Sequence, residues 1–426
     1  MVRADKTMLQ ALKGLPNKFL EKLIADKLKK AGVAEADMLA PKLLAHTLTG
    51  QTGQFVWDDG SEEARQEVKI EIADQDLEEV EQKIGAFLKN DLPKVIDKTI
   101  REAAKGSMGE LKKNWPDVDA WHENTMAIFR YNLDARWGKA LDRLRFLLAA
   151  SREVGEEQYK RYHRLKRHKQ PALSEVLCRL HARACQVAEE IILLMESGYA
   201  DGAMARWRTL HEIGVVATVL TDHGEEIAQR YVAHEIVETK SAVDEYERSQ
   251  VPLGYLPISE RRKKSLLARY KEVIDIYGKS FGSPYGWAAH HLKRTKPIFS
   301  DLEDAAGRAQ ARSYYKMASY NVHASPRGIY DRLGYDAQRA IIAGPTNAGL
   351  TEPGQNTAFT LALITYLLYR EPYTMPNLIS LRMLADLRDE IPPLFARAES
   401  KLRRDEGKIQ KAMKAKKRAA SLRRTK

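Results

Sequence analysis

The sequence predicts an all-α protein: a multi-helix bundle in its C-terminal part and a mostly helical N-terminal part containing at most one short strand pair. Three observations carry that prediction. Ala, Leu, Arg, Lys and Glu dominate a chain that is 44% hydrophobic and 30% charged, and β-branched runs are scarce. Apolar residues recur at three- and four-residue steps through most of its 426 positions. One segment, Gly198–Thr221 (GYADGAMARWRTLHEIGVVATVLT), is apolar on nearly every side, as a central helix must be.

In chain order, Lys6–Lys30 carries Leu9, Leu12, Phe19, Leu23, Ile24 and Leu28 at helical spacing, interrupted near Gly14 and Pro16. Ala34–Leu48 reads as a second helix, broken or restarted at Pro41. Gly50–Gly60 is rich in turn residues, and Val68–Ile72 (VKIEI) alternates, making it the strand candidate. Asp74–Lys113 returns to helix, with stops at Asp91–Pro93 and Gly106–Gly109. Trp121, Phe129, Tyr131, Trp137 and Phe146 then supply a second packing surface up to about Ala150. The basic stretch Lys160–Lys169 (KRYHRLKRHK) reads as an exposed helix end or linker. The expected organisation is an accessory domain over 1–150, a linker over 151–171, a bundle over 172–398 and a basic tail over 399–426.

The bundle has the most regular pattern. Leu173–Ser197 places Val176, Leu177, Leu180, Ala184, Val187, Ile191 and Leu194 on one face. A short Gly198–Gly202 turn links it to the central helix, which predicts an antiparallel hairpin. Helices follow over Glu225–Gln250, Ser259–Tyr277 and Asp301–His323. A glycine-rich excursion, Gly344–Gly354, precedes the last two helices, Thr357–Tyr369 and Pro376 onward into the tail.

Charge and cysteine usage bound the function. The net charge of +12 is concentrated at one end: residues 401–426 hold 12 Lys/Arg and two acids, leaving 58 basic and 56 acidic residues elsewhere. Such a tail is either a solvated, frayed helix end or a sequence-independent holder of RNA or another polyanion. Cys178 and Cys185 lie about 10 Å apart along a helix at ~1.5 Å per residue, beyond disulfide reach. Free thiols and the lack of a secretory apolar region point to a reducing cytoplasm. The longest apolar run, Ala358–Tyr369, is too short to span a bilayer, so no membrane partner is expected.

Several chemistries lack their residues. There is no phosphate-cradling GxxxxGK[ST], no HExxH and no zinc-type cysteine pairing. No histidine follows a glutamate by three positions, as di-iron bundles require. His211–Glu212 and His234–Glu235 are adjacent pairs whose side chains diverge by about 100° on a helix. Neither a metal nor a cofactor is expected.

Two groupings remain. Arg208 and Glu212 stand four apart inside an apolar stripe. They form either a buried pair that locks the helix against its neighbours or an arginine held rigid to meet a phosphate or carboxylate. In Tyr314–His323 (YYKMASYNVH), Arg308, Arg312, Lys316, Ser319 and His323 step along one helix face. His323 at the helix end either meets the terminal carbonyls or serves as a general acid/base, with Ser319 and Tyr315 as orienting hydroxyls.

Ser197–Glu212, Pro284–Ala288 (PYGWA), Tyr315–His323 and Gly344–Gly354 together resemble an uncharacterised bacterial all-helical family, a domain of unknown function of the 5677 type. Its marks are a glycine-started helix ending Arg-x-x-x-Glu and a later Tyr-x-x-x-Ser-x-x-x-His. The resemblance covers about 175–370 and implies a helical domain with no established activity. More distantly the chain is similar to the HEPN superfamily, small helical bundles that are often metal-independent ribonucleases in toxin and phage-defence systems. Their motif is an Arg and a His some four to six residues apart near the start of the last helix. Here Arg312 precedes His323 by eleven positions, and Arg206 and His211 have the spacing on a different helix. A nuclease site would therefore be composite, with Arg208, Glu212, Ser319 and His323 as its residues. The resulting expectation is a cytoplasmic effector acting on RNA. Its alternative is a non-catalytic helical module with a structural Arg/Glu/Ser/His network, a basic tail, and a partner protein or a second copy of itself.

Overall fold

In a computed structural model, residues 13–50, 54–57, 67–164, 169–332, 334, 340–370 and 373–424 are described. The chain divides into two compact units, Met1–His122 and Glu123–Lys426. The expected boundary at 150–170 thus lies inside the second unit, where a helix continues to Arg164. Residues 165–168 of the basic stretch lie outside the described residues.

In the first unit, α1 (Leu15–Lys30) starts with Pro16 in its first turn, where a missing N–H costs nothing. It packs on α2 (Ala36–Leu48) through Ile24, Leu28, Leu39 and Leu44. Lys27 ties this pair to α3 (Asp74–Ala86) by a 2.5 Å ion pair with Asp76 and a 2.9 Å hydrogen bond to the Glu71 carbonyl. No strand occurs among the described residues. Val68–Ile72 has no regular secondary structure and pairs with no strand among the described residues. A π-helical turn, Phe87–Asp91, leads into α4 (Leu92–Arg164), which runs through the glycines expected to stop it and on through Pro116.

The second unit is built around the predicted hairpin. α5 (Pro171–Glu196) begins with proline, and the Glu225 carboxylate accepts its Ala172 and Leu173 N–H groups at 3.0 and 3.1 Å. At its far end Gly198 adopts φ +79°, and the Gly198 and Tyr199 N–H groups return to the Met195 and Leu194 carbonyls. That left-handed cap reverses the chain into α6 (Ala200–His223). α6 buries Met204, Trp207, Leu210, His211, Val215, Val219 and Leu220, and packs against α5 and against α13 (Thr351–Tyr366). Trp207 Nε1 donates to Thr360 Oγ1 of α13 at 3.1 Å. A Cβ on Gly214 would stand 3.2 Å from Thr360, so the glycine sets the close approach of the two helices.

Three expected helices differ in their bounds. Glu225–Gln250 is two helices, α7 (Glu225–Ala233) and α8 (Glu235–Ser249), bent at His234, whose buried ring bonds the Ser283 carbonyl at 2.9 Å. α9 (Glu260–Tyr277) follows as expected. Asp301–His323 is α10 (Phe299–Ala305), a 3-10 turn at Ala309–Ala311, and α11 (Arg312–Tyr320). The break is Gly307 at φ +64°: the Gly307 and Arg308 N–H groups close a second left-handed cap on Asp304 and Glu303. Arg308 and His323 therefore leave the helix face that Arg312, Lys316 and Ser319 share. α12 (Pro326–Arg332) comes next. α13 starts at Thr351, not Thr357, because Gly354 is drawn into it: the Phe395 ring of α14 (Met375–Arg424) occupies the space of a Cβ.

His181 of α5 gives this core a pH signature. Its ring fills the room left by Gly155 and bonds Thr365 Oγ1 at 3.2 Å, and burial holds its pKa down to about 4. The unfolded chain, with an ordinary histidine near 6.5, takes up this proton first as pH falls. Stability is therefore whole above about pH 6.5 and declines toward pH 4. The loss is about 3 kcal/mol, since each pH unit between the two values costs ~1.4 kcal/mol. His211, whose pKa burial also lowers despite Glu303, acts in the same direction. Denaturation midpoints measured across this range should flatten in His181→Gln relative to the parent.

Candidate functional site

Three of the polar residues singled out in the sequence, Arg208, Glu212 and Tyr315, gather where α6 meets α11. Arg208 Nε donates to Glu212 Oε1 at 3.2 Å, one helical turn away. The guanidinium lies over the Tyr315 ring, 4.5 Å from its centroid. The Tyr315 hydroxyl donates to the same Glu212 oxygen at 2.6 Å. Burial, then this bond, pushes the Tyr315 pKa well above the ordinary value, so the phenol stays protonated and donating. Arg208 and Glu212 are half-buried, with side-chain exposures of 28% and 39%. They edge the core rather than sit within it. Tyr285, from the PYGWA loop, packs 6.3 Å from Phe299, which in turn lies 4.9 Å from Tyr315. Its phenol pKa is raised by burial and by Glu212.

Beside this cluster runs a second one that the sequence did not disclose. Glu303 of α10 is 1% exposed, and His211 Nε2 donates to its Oε1 at 2.9 Å. Arg312 Nε donates to Oε2 at 2.9 Å and its Nη2 reaches Asp304 and the Ser300 carbonyl. Since burial lowers the His211 pKa more than Glu303 raises it, His211 is neutral at pH 7 and carries its proton on Nε2. The two clusters touch through aromatic rings: His211 is 5.2 Å from Trp207 and 5.6 Å from Tyr315. No short-range pattern pairs residues 211 and 303. The one signal the sequence offers is the helical position of His211 among residues that are buried, where a polar group needs a partner.

The other candidates are placed differently. Ser319 Oγ donates to the Tyr315 carbonyl at 3.0 Å, within its own helix. His323 lies in the exposed turn after α11. Its backbone N–H caps Ser319, and its imidazole meets no hydrogen-bond, ion-pair or ring partner among the described residues. The structure thus joins Arg208, Glu212 and Tyr315, keeps Ser319 one turn on, and leaves His323 exposed and without a side-chain partner among the described residues. Arg206, the arginine at HEPN-like spacing from His211, is paired with Glu190 of α5. Among the described residues no group of three or more His, Cys, Asp and Glu could hold a metal ion, and no helix is long and apolar enough to cross a membrane.

No curated protein and no solved structure matches the chain. Residues 174–340 match the model of a family of unknown function, DUF5677. That span opens in α5, closes beyond α12 and contains every residue of both clusters. Over this segment the chain is similar to that family of unknown function.

Proposed function

We propose that the helical domain is a metal-independent, HEPN-like ribonuclease effector of the defence or toxin type, acting in the cytoplasm. The observation that carries this reading is the preparation of Arg208. Its Nε is fixed by Glu212, its plane is stacked on Tyr315, and Glu212 is the only acid paired to it among the described residues. A guanidinium held in this way has lost most of its rotamer freedom before any ligand arrives and presents its fork to a phosphodiester. The reading requires one RNA strand along α11 to bring a phosphate to Arg208 and the ribose that attacks it to His323. His323 takes the proton of the 2′-hydroxyl as its oxygen bonds to phosphorus. The bond to the 5′-oxygen breaks, that oxygen is protonated by water, and a 2′,3′-cyclic phosphate remains. Tyr315 and Glu212 position the arginine, and Ser319 holds the end of α11.

A second reading has its own observation: the Ser319 hydroxyl and the Glu212 carboxylate are already spent on bonds within the protein. In that reading the network is structural and the helical basic tail alone holds RNA by charge. Incubation of the purified protein with mixed-sequence RNA in chelator separates the two. The enzyme reading expects cyclic-phosphate products from the parent and a loss of about 100-fold or more in His323→Ala, as for a missing general base. Binding without cleavage that disappears on truncation after Glu399 would establish the second reading instead.

A further inference from the structure

Between α6, the turn at Ala309–Ala311 and α13 lies a cavity of about 150 Å³, lined by Trp207, His211, Arg308, Tyr314, Asn356 and Phe359 among others. We infer that this cavity binds a small organic oxyanion, a carboxylate or phosphate carried on a body no larger than one aromatic ring.

The argument begins with Arg308. The left-handed cap at Gly307 turns the chain so that Arg308 leaves α10 and faces the cavity rather than continuing the helix. It is half-buried, yet no acid pairs with it among the described residues. Its neighbours are accounted for elsewhere: Glu303 is shared by His211 and Arg312, and Asp304 is taken by Arg312. Partial burial of a cation without a counter-ion is unfavourable, and the lowered pKa of Arg308 has burial as its single cause. A second donor points to the same conclusion: Asn356 Nδ2 is buried and has no acceptor. A cavity lined by an unpaired guanidinium, with an unpaired amide N–H buried in its wall, lacks one thing, an acceptor with negative charge.

Size and walls define the rest of the ligand. A space of this volume accommodates a single benzene-sized ring. Trp207, Val215, Leu363 and Phe359 give it apolar walls, and Tyr314 and Phe359, 41% and 48% exposed, stand at its mouth. An oxyanion on Arg308 and Asn356 with a flat apolar body against Trp207 satisfies both chemistries. The site is distinct from Arg208 and holds whether or not the chain cleaves RNA.

The test is calorimetric titration of the full chain with benzoate, phenyl phosphate, inorganic phosphate and neutral benzamide. The parent should bind benzoate or phenyl phosphate at millimolar concentration or better, and benzamide more weakly. The two ring-bearing anions distinguish carboxylate from phosphate, and inorganic phosphate reports what the ring adds. Arg308→Leu and Asn356→Asp should each weaken binding by about 10-fold or more, as for loss of a charge-assisted bond. Arg179→Ala, an exposed ion-paired arginine on α5, should bind as the parent does and so reports on non-specific charge. Unfolding midpoints of both cavity variants establish that they are folded. Absence of binding by the parent to every anion, or equal binding by folded Arg308→Leu, would overturn the inference.

Discussion

Gly286→Ala should destabilise the second unit by about 3 kcal/mol, the upper end of the range for forced overpacking. A Cβ at this position would stand 2.1 Å from the Phe281 carbonyl oxygen and 2.4 Å from its carbon. These are backbone atoms, so no rotamer change relieves the clash. The turn at Lys279–Gly282 and the turn at Gly286–Ala288 must move apart. Phe281, fully buried against Tyr277 and His234, moves with them. The consequence reaches the site, because the same loop carries Tyr285 to Phe299 and so closes the aromatic wall behind Tyr315. Urea denaturation of the variant reads the loss directly. A change below about 0.5 kcal/mol, the level of an ordinary surface substitution, would show that the loop has room to spare.

Glu303→Ala should cost about 3 kcal/mol for a different reason. The carboxylate is buried and accepts from both His211 and Arg312. Without it the His211 Nε2–H is left in the core with no acceptor, which alone costs about 1–3 kcal/mol. Arg312 is less affected, since it is 41% exposed and keeps Asp304 and the Ser300 carbonyl. Adding His211→Leu to Glu303→Ala removes the orphaned donor. The double variant should therefore lose less than the sum of the single losses, with a coupling of about 1 kcal/mol or more. Strict additivity would mean that the two side chains do not depend on each other.

Particular residues show why some of this was legible in the sequence and some was not. The α5–α6 hairpin was readable because Gly198 stands between two long helical periods, and a left-handed cap there needs glycine. Arg208 and Glu212 were readable as a pair because neighbours on a helix are fixed by their spacing. Tyr315 was recognisable as a hydroxyl near the site, but its bond to Glu212 joins two helices over a hundred residues apart. Glu303 was missed for the same reason: its partner His211 lies ninety-two positions away. The single helix expected over Asp301–His323 failed at Gly307, where periodicity continues across a backbone that has turned left-handed. Gly354 misled in the opposite sense. Its neighbours in sequence read as a loop, yet the Phe395 ring requires a residue without Cβ and the helix forms around it. The strand expected at Val68–Ile72 had the pattern but no partner among the described residues.

The central claim is that Glu212 and Tyr315 hold Arg208 for a ligand rather than for the fold. Arg208→Met tests it most directly, because it keeps the aliphatic stem and removes the guanidinium. Its unfolding free energy and its RNA affinity are measured side by side at one salt concentration. The ligand reading predicts RNA binding weakened by about 10-fold or more, as for loss of a charge-assisted contact. It also predicts a stability change within about 1 kcal/mol, because the pair is partly exposed and its Coulomb gain is screened. Unchanged RNA affinity together with a stability loss of about 3 kcal/mol, the mark of a broken buried pair, would contradict it.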